Sequence, residues 1–482
     1  MRSTILLLAA IWLTFASVPS LVGADGHARY IGYEDAAPIL EALQEALPLE
    51  LRGARKSELP SAWRSWVERR DQEIRARLVQ GDEDSIVNFL LFGTSFTRKP
   101  RITLSSLAQV GDRFSKSANA SAPEVTSFLD SIKSRADDLI QAMASPSANE
   151  RVLFARRVVE SKGLDPKTMT GRPRVKDYLL TSLVRVLNEQ SGYAKVLQSA
   201  QLLGDPSAEF AERSKLFSNR GLSSDTSLLP NFAIERALTS MKAQGMLAVK
   251  SVRRVGVVGP GLDFTDKQDG YDFYPQQTIQ PFAIIDTLFR LGLGRALDLK
   301  VTTLDLSPRI NDHIRRARAR GQSGGAYVVQ LPRDAQGQWK PEAVSYWTSF
   351  GDQIGAPVTP VSVPVGAGQV KVRAVRIRPA IASAITPEDL NIIVQRLEPP
   401  SGDRFDLIIA TNILVYYDVF EQSLALANIE RMLRPGGFLL SNNALLELPS
   451  SRMHSVGYET VVYSDKPNDG DHIVWYQRSA EK

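Results

Sequence analysis

Arg254-Val255-Gly256-Val257-Val258-Gly259-Pro260-Gly261-Leu262-Asp263 is an apolar run that ends in a glycine turn. Val255, Val257 and Val258 read as a buried parallel strand, because neighbours covering both faces of such a strand select β-branched residues. Gly259 and Gly261 allow the backbone to turn sharply and to approach a ligand where no Cβ fits. A second apolar run ends at Leu304-Asp305-Leu306-Ser307, and Asp305 at its tip offers a carboxylate that can accept two hydrogen bonds from a ribose diol. The two strand ends outline a nucleotide pocket. Gly-Pro-Gly is also a common plain turn, so the rest of the chain must carry the reading.

A dinucleotide site is the simplest rival. That fingerprint requires a third glycine three residues after the second, for helix packing, and Phe264 stands there. Its acidic residue also follows after roughly 20 positions. Here Asp305 lies 46 positions beyond Gly259 (305 − 259), which implies an insertion within the pocket. An NAD-dependent oxidoreductase is therefore the less favoured reading.

The 482 residues suffice for two or three domains, and 43% hydrophobic with 23% charged residues is ordinary globular composition. Net charge is +5, but 58 basic residues are interleaved with 53 acidic ones, so no nucleic-acid partner is indicated. The absence of cysteine excludes disulfides, thiolate metal sites and cysteine nucleophiles. His27, His313, His454 and His472 have no ligand spacing, and no metal site is expected. Met1-Arg2, an apolar run from Ile5 to Phe15 and the small-residue pattern Val22-Gly23-Ala24 read as a secretory signal peptide cut after Ala24. The expected location is secreted or periplasmic, with an uncleaved anchor as the alternative and no membrane span after the signal peptide.

Between about 34 and 246 the period is helical, over 37–47, 62–78, 122–143, 150–161, 175–203 and 232–246, with a break expected at Gly81 among others. After Val249 short apolar runs alternate with helices, the texture of a doubly wound α/β sheet. Strands are expected at 255–258, 300–304, 405–410 and 437–440, and helices at 277–291, 310–320 and 420–433. A β-rich insertion covers about 326–381, with β-formers at 327–331, 344–347 and 370–377, and 458–463 with 473–477 read as a terminal antiparallel hairpin. The resulting division is a signal peptide at 1–24, a helical domain at 25–248 and an α/β domain at 249–482.

The second half resembles a class I S-adenosylmethionine-dependent methyltransferase. The likeness rests on the glycine loop, on Asp305, on Asp406-Leu407-Ile408-Ile409 as a fourth strand, and on Leu433-Arg434-Pro435-Gly436-Gly437-Phe438 entering a fifth. Locally it is most similar to the chemotaxis-receptor glutamate methyltransferases. Leu304-Asp305-Leu306-Ser307 followed by the Ala-Arg-rich stretch 314–321 and Tyr327, and the stretch from Phe405 to Asp418 with Thr411-Asn412-Ile413-Leu414-Val415-Tyr416-Tyr417 at its centre, carry that similarity. It covers about half of the chain. Val257 replaces the acid common before the first glycine, and Asp263 replaces the usual third glycine. The resemblance implies a Rossmann-like class I methyltransferase sheet with a terminal antiparallel hairpin, preceded by an all-α domain. It also implies S-adenosyl-L-methionine as cofactor. Asp305 would hold the ribose hydroxyls, Gly259 and Gly261 the methionine portion, Leu306 the adenine face, and Thr411 with Asn412 the adenine and ribose edge. An open helix N-terminus after the glycine loop would face the cofactor's carboxylate.

For single residues other readings stand beside these. Asp305 also suits an N-cap for a helix beginning near Pro308. Asn412 suits a strand-end turn, and Tyr416 and Tyr417 suit a core. The methyl acceptor is open, a small molecule or a protein carboxylate. A carboxylate acceptor needs no base, whereas an amine or hydroxyl does, and no catalytic residue is singled out. The alternative function is a catalytically inactive methyltransferase-fold protein that binds a ligand or serves as a scaffold.

Overall fold

The computed structural model describes residues 28–102, 123–203, 220–265, 271–466 and 469–480; the signal-peptide segment and His27 lie outside them. The valine run forms β1 (Arg254–Val258), with four of its five residues buried, as a strand covered on both faces requires. Parallel to it lie β2 (Lys300–Asp305), β3 (Ile385–Asp389), β4 (Phe405–Ala410) and β5 (Leu433–Ser441). The hairpin β6 (Met453–Val462) and β7 (Gly470–Arg478) completes the sheet antiparallel, in the order β6-β7-β5-β4-β1-β2-β3. From β1 the chain runs outward to β2 and β3, then returns to place β4 on the other side of β1. The reversal lies between β1 and β4, where the C-terminal strand ends of an open α/β sheet leave a crevice. The architecture is thus the Rossmann-like sheet with a terminal hairpin that the sequence implies.

The helical part comprises α1 (Tyr33–Ala42), α2 (Leu59–Phe92), α3 (Pro123–Ala144), α4 (Glu150–Ser161), α5 (Gly171–Leu203) and α6 (Leu229–Ala243). Crossovers add α7 (Gln280–Arg290), α8 (Pro308–Gln322) and α9 (Val419–Met432). One core joins Phe232, Leu238 and Met241 of α6 to Val255, Phe282 and Trp475 on one face of the sheet. The other face meets α9 together with Ile39, Trp63, Trp66 and Ile74 of α1 and α2. Trp63 and Trp66 stack at 5.2 Å and both meet Phe420 of α9, so apolar packing crosses position 249 on both faces. Before α6 the one strand among the described residues is Arg29–Tyr30, which pairs with Gln395–Arg396.

Several details differ from expectation. Helix α2 runs through Gly81, because the glycine serves contact rather than a break: a Cβ there would stand 1.9 Å from Leu222 O. Residues 344–347, expected as strand, lie in the helix Pro341–Ser349, where Ala343, Tyr346, Trp347 and Phe350 are buried at helical spacing. The insertion forms its own three-stranded antiparallel sheet from Tyr327–Asp334, Gly355–Val358 and Val370–Ile377. Strand β3 escaped the sequence reading because Pro387 interrupts it, which an edge strand tolerates. Pro435-Gly436-Gly437 forms an irregularity inside β5, between Leu433 and Phe438, rather than the turn that enters it.

Candidate functional site

A cavity of about 840 Å³ opens at the strand ends around the β1/β4 reversal. Gly259, Gly261, Asp305, Leu306, Thr411 and Asn412 all line it. The size lies toward the upper end of the ~300–1,000 Å³ usual for small-molecule sites.

Gly259 and Gly261 adopt φ of +61° and +66°, the left-handed region that glycine enters without strain. The Gly259 N–H donates to Leu304 O at 2.9 Å, tying the loop to β2. A Cβ on Gly259 would come 2.1 Å from Ile413 Cδ1. At Gly261 the nearest atoms are protein, with Ser224 O and Thr226 Cβ both 3.0 Å from a built Cβ. Segment 223–227 lies along the loop: Leu262 N donates to Ser224 O at 2.8 Å and Thr226 N to Leu262 O at 3.0 Å. The helical half thereby supplies one cavity wall.

Asp305 is buried, and its Oδ1 accepts from the Ser307 N–H at 2.8 Å. That is an Asx turn, and Ser307 rather than Asp305 occupies the N-cap position of α8. Oδ2 has no hydrogen-bond partner among the described residues. Burial pushes the carboxyl up to about 7, against the Ser307 N–H and Arg309, which draw it down. Leu306 is fixed through its carbonyl, which accepts from Arg75 Nη1 at 3.3 Å; Arg75 also pairs with Asp389 at 2.8 Å and Asp71 at 3.0 Å. Thr411 Oγ1 accepts from Gln280 Nε2 at 3.0 Å. Asn412, at φ +59°, donates its N–H to Asn442 Oδ1 at 2.8 Å and accepts from Asn442 Nδ2 at 2.6 Å, so the ends of β4 and β5 lock together.

One expectation is corrected. Among the described residues no helix opens directly after the glycine loop: 262–265 and 271–279 are not helical, and α7 begins at Gln280. Asp263 does not line the cavity: it is buried, and its Oδ2 accepts from Tyr274 OH and Gln277 Nε2, both at 2.9 Å. It anchors the excursion beneath the loop, its carboxyl raised to about 6 by burial. Tyr417 is buried and Tyr416 partly buried, and both reach the cavity.

Residues that sequence reasoning missed include Ser224, Asp225, Gln280, Asn442, Asn443, Asp471 and His472. Asn442-Asn443 was detectable, since it follows β5 as Asn412 follows β4. Ser224 and Asp225 carried no such sign; only docking against Leu262 brings them here. His472 looked isolated because its neighbour Thr460, 2.8 Å from Nδ1, lies across a hairpin.

No protein-family model matches the chain, and no curated protein matches it. Among solved structures, the N-methyltransferase NodS from Bradyrhizobium japonicum WM9 is 14% identical over 51% of this chain and 97% of its own, at TM-score 0.26. The citrinin polyketide synthase CMeT domain is 13% identical over 94% and 99%, at 0.25. An O-methyltransferase family protein from Burkholderia thailandensis is 11% identical over 79% and 99%, at 0.23. Likenesses this loose carry no argument about chemistry, and the fold rests on the strand order described above.

Proposed function

We propose that the protein is an S-adenosyl-L-methionine-dependent methyltransferase, exported by the segment 1–24 and acting outside the cytoplasm. The observation that carries this reading is convergence: Gly259, Asp305 and Thr411-Asn412, from three strand ends, meet in one cavity at the sheet's reversal. The residues fit the cofactor. Asp305 Oδ2 has no partner among the described residues and can accept from a ribose diol. The described lining contains Asp225, Asp305, Asp469 and Asp471 but neither lysine nor arginine, which suits a sulfonium cation. The same lining opposes a dinucleotide, whose pyrophosphate needs basic groups or a helix N-terminus directly after the loop.

The cofactor supplies a methyl group on a cationic sulfur. The chain's part is to orient and to exclude water, since an in-line displacement needs its partners held collinear more than it needs a reactive side chain. Arg75 and the Asn412–Asn442 pair fix the strand ends that would hold the nucleoside. Segment 223–227 and the hairpin wall off the remaining space. Parallel calorimetric titrations of residues 25–482 with S-adenosylmethionine and NAD test the reading. Binding of the first and not of the second is expected; the reverse, or binding of neither, overturns it.

A further inference from the structure

Leu306 and Ser307 line the cavity after β2, and Leu390 and Ile392 line it after β3. A backbone bond joins the two stretches, from Leu390 N–H to Asp305 O at 3.2 Å. Arg75 of α2, which is not on the lining, joins them again from behind. Its Nη1 donates to Leu306 O at 3.3 Å, and its Nη2 reaches Asp389 Oδ1 at 2.8 Å and Gln395 Oε1 at 3.4 Å. Its Nε donates to Asp71 Oδ1 at 3.0 Å, one turn back on the same helix. Asp71 is buried and is fixed in turn by Tyr30 OH and Asn391 Nδ2, both at 2.9 Å. A planar guanidinium engaged at all three nitrogens is held in one orientation. The Asp389 carboxylate is half exposed, and ion pairs of that kind add little to stability; a bond to the carbonyl next to Asp305 instead fixes geometry at the site.

We infer that Arg75 is a positioning residue of the cofactor site: reaching in from the helical half, it pins Leu306 and the 389–395 segment together, so that Asp305, Leu306, Leu390 and Ile392 face the nucleoside in a fixed arrangement. The inference rests on the methyltransferase reading and gives the helical half a part in it beyond that of a wall. Binding to strand ends already held in place avoids the cost of ordering them. The same guanidinium also bears on the Asp305 carboxylate. Arg309 on α8, Asp389 on β3, Tyr417 beyond β4 and Arg75 on α2 all interact with it. Burial raises the Asp305 carboxyl; the Ser307 N–H, Arg309 and Arg75 draw it down, and Asp389 pushes it up. Arg75 thus acts on it twice, directly and by pairing with Asp389. Without the guanidinium both acids lose a compensating charge, and Asp305 keeps its proton to higher pH.

The test titrates residues 25–482 calorimetrically with S-adenosylmethionine from about pH 6 to about pH 8.5, a window around the carboxyl's raised value. Wild type is compared with Arg75→Gln, Arg75→Lys and Asp71→Asn, each checked for an unchanged circular dichroism spectrum. Arg64→Gln, on the same helix but off the cavity and paired with Glu68, is the control. Arg75→Gln should weaken binding about tenfold and move the rise of affinity to higher pH. Arg75→Lys keeps the charge but cannot reach Asp71, Leu306 and Asp389 together; it should keep the wild-type pH midpoint and only part of the affinity. Asp71→Asn should weaken binding by freeing the guanidinium, and Arg64→Gln should change nothing. Binding by Arg75→Gln within twofold of wild type, a loss with the pH midpoint unmoved, or full restoration by Arg75→Lys overturns the inference and leaves the methyltransferase reading intact. If Arg75→Gln does not fold, Asp71→Asn decides in its place, and unchanged affinity there overturns the inference. Absence of S-adenosylmethionine binding by the wild type removes both.

Discussion

Asp305 combines two roles that pull on its proton in opposite directions. Burial favours the neutral acid and raises the carboxyl to about 7, whereas a ribose diol donates best to the ionised form. The affinity for S-adenosylmethionine should therefore rise as pH increases through about 7, and Asp305→Asn should flatten that profile in calorimetry. For folding the sign is reversed. The folded pKa lies above the unfolded carboxylate value, so the contribution to stability is complete below about pH 4 and is lost as pH rises through about 7. Melting of the unliganded protein should accordingly fall across that window more steeply than in Asp305→Asn. Asp305→Ala removes hydrogen bonds worth about 1.5–3 kcal/mol each when one partner is charged, so binding should weaken at least tenfold. Unchanged affinity in a variant of native melting temperature would reduce Asp305 to its Asx turn with Ser307.

Contacts between elements, more than single side chains, decide the shape of the cavity. Helix α2 and segment 221–222 touch backbone to backbone: a Cβ on Gly81 would reach 1.9 Å from Leu222 O, and Leu222 N donates to Arg77 O at 3.2 Å. In a free helix Gly→Ala stabilises by roughly 1 kcal/mol. Here overpacking should reverse the sign, so Gly81→Ala is expected to destabilise by about 1–3 kcal/mol; a raised melting temperature would show that the contact does not form. Gly261→Val acts at the other end of the same segment. At φ +66° a β-branched residue is strained by about 1–3 kcal/mol, and its side chain meets Ser224 and Thr226. Loss of S-adenosylmethionine binding by a chain that retains its circular dichroism spectrum is the expected result. Full-strength binding would detach the glycine loop from the site.

The molecule as a whole is knit across the position where its sequence changes texture. Phe232, Leu238 and Met241 share a core with the sheet on one face, and Trp63 and Trp66 with Phe420 on the other. A chain beginning at residue 249 would expose both surfaces to water, at about 25 cal/mol per Å² of apolar area. We predict that such a fragment fails to melt cooperatively, whereas residues 25–482 unfold in a single transition; an autonomous, cooperatively melting fragment would contradict the shared cores.

Local pattern alone determined the alternation of strand and helix after Val249, the glycine turn, the acid at the end of β2 and the hairpin. Each of these is a property of neighbours in sequence: periodicity, β-branching, or glycine and proline at a turn. It also placed Gly259, Gly261 and Asp305, while the methyltransferase resemblance added Leu306, Thr411 and Asn412; the fold brings all six to one cavity. Tertiary structure decided the rest, because it depends on which surfaces meet. Gly81 reads as a helix break until Leu222 is seen against it, and 344–347 read as strand until burial selects the helical face. Pro387 conceals an edge strand. Ser224, Asp225 and Asp471 have no motif; they become a wall only when the chain between α5 and α6 pairs with Leu262 and the last hairpin folds back beside β5, contacts made across long separations that no local period encodes.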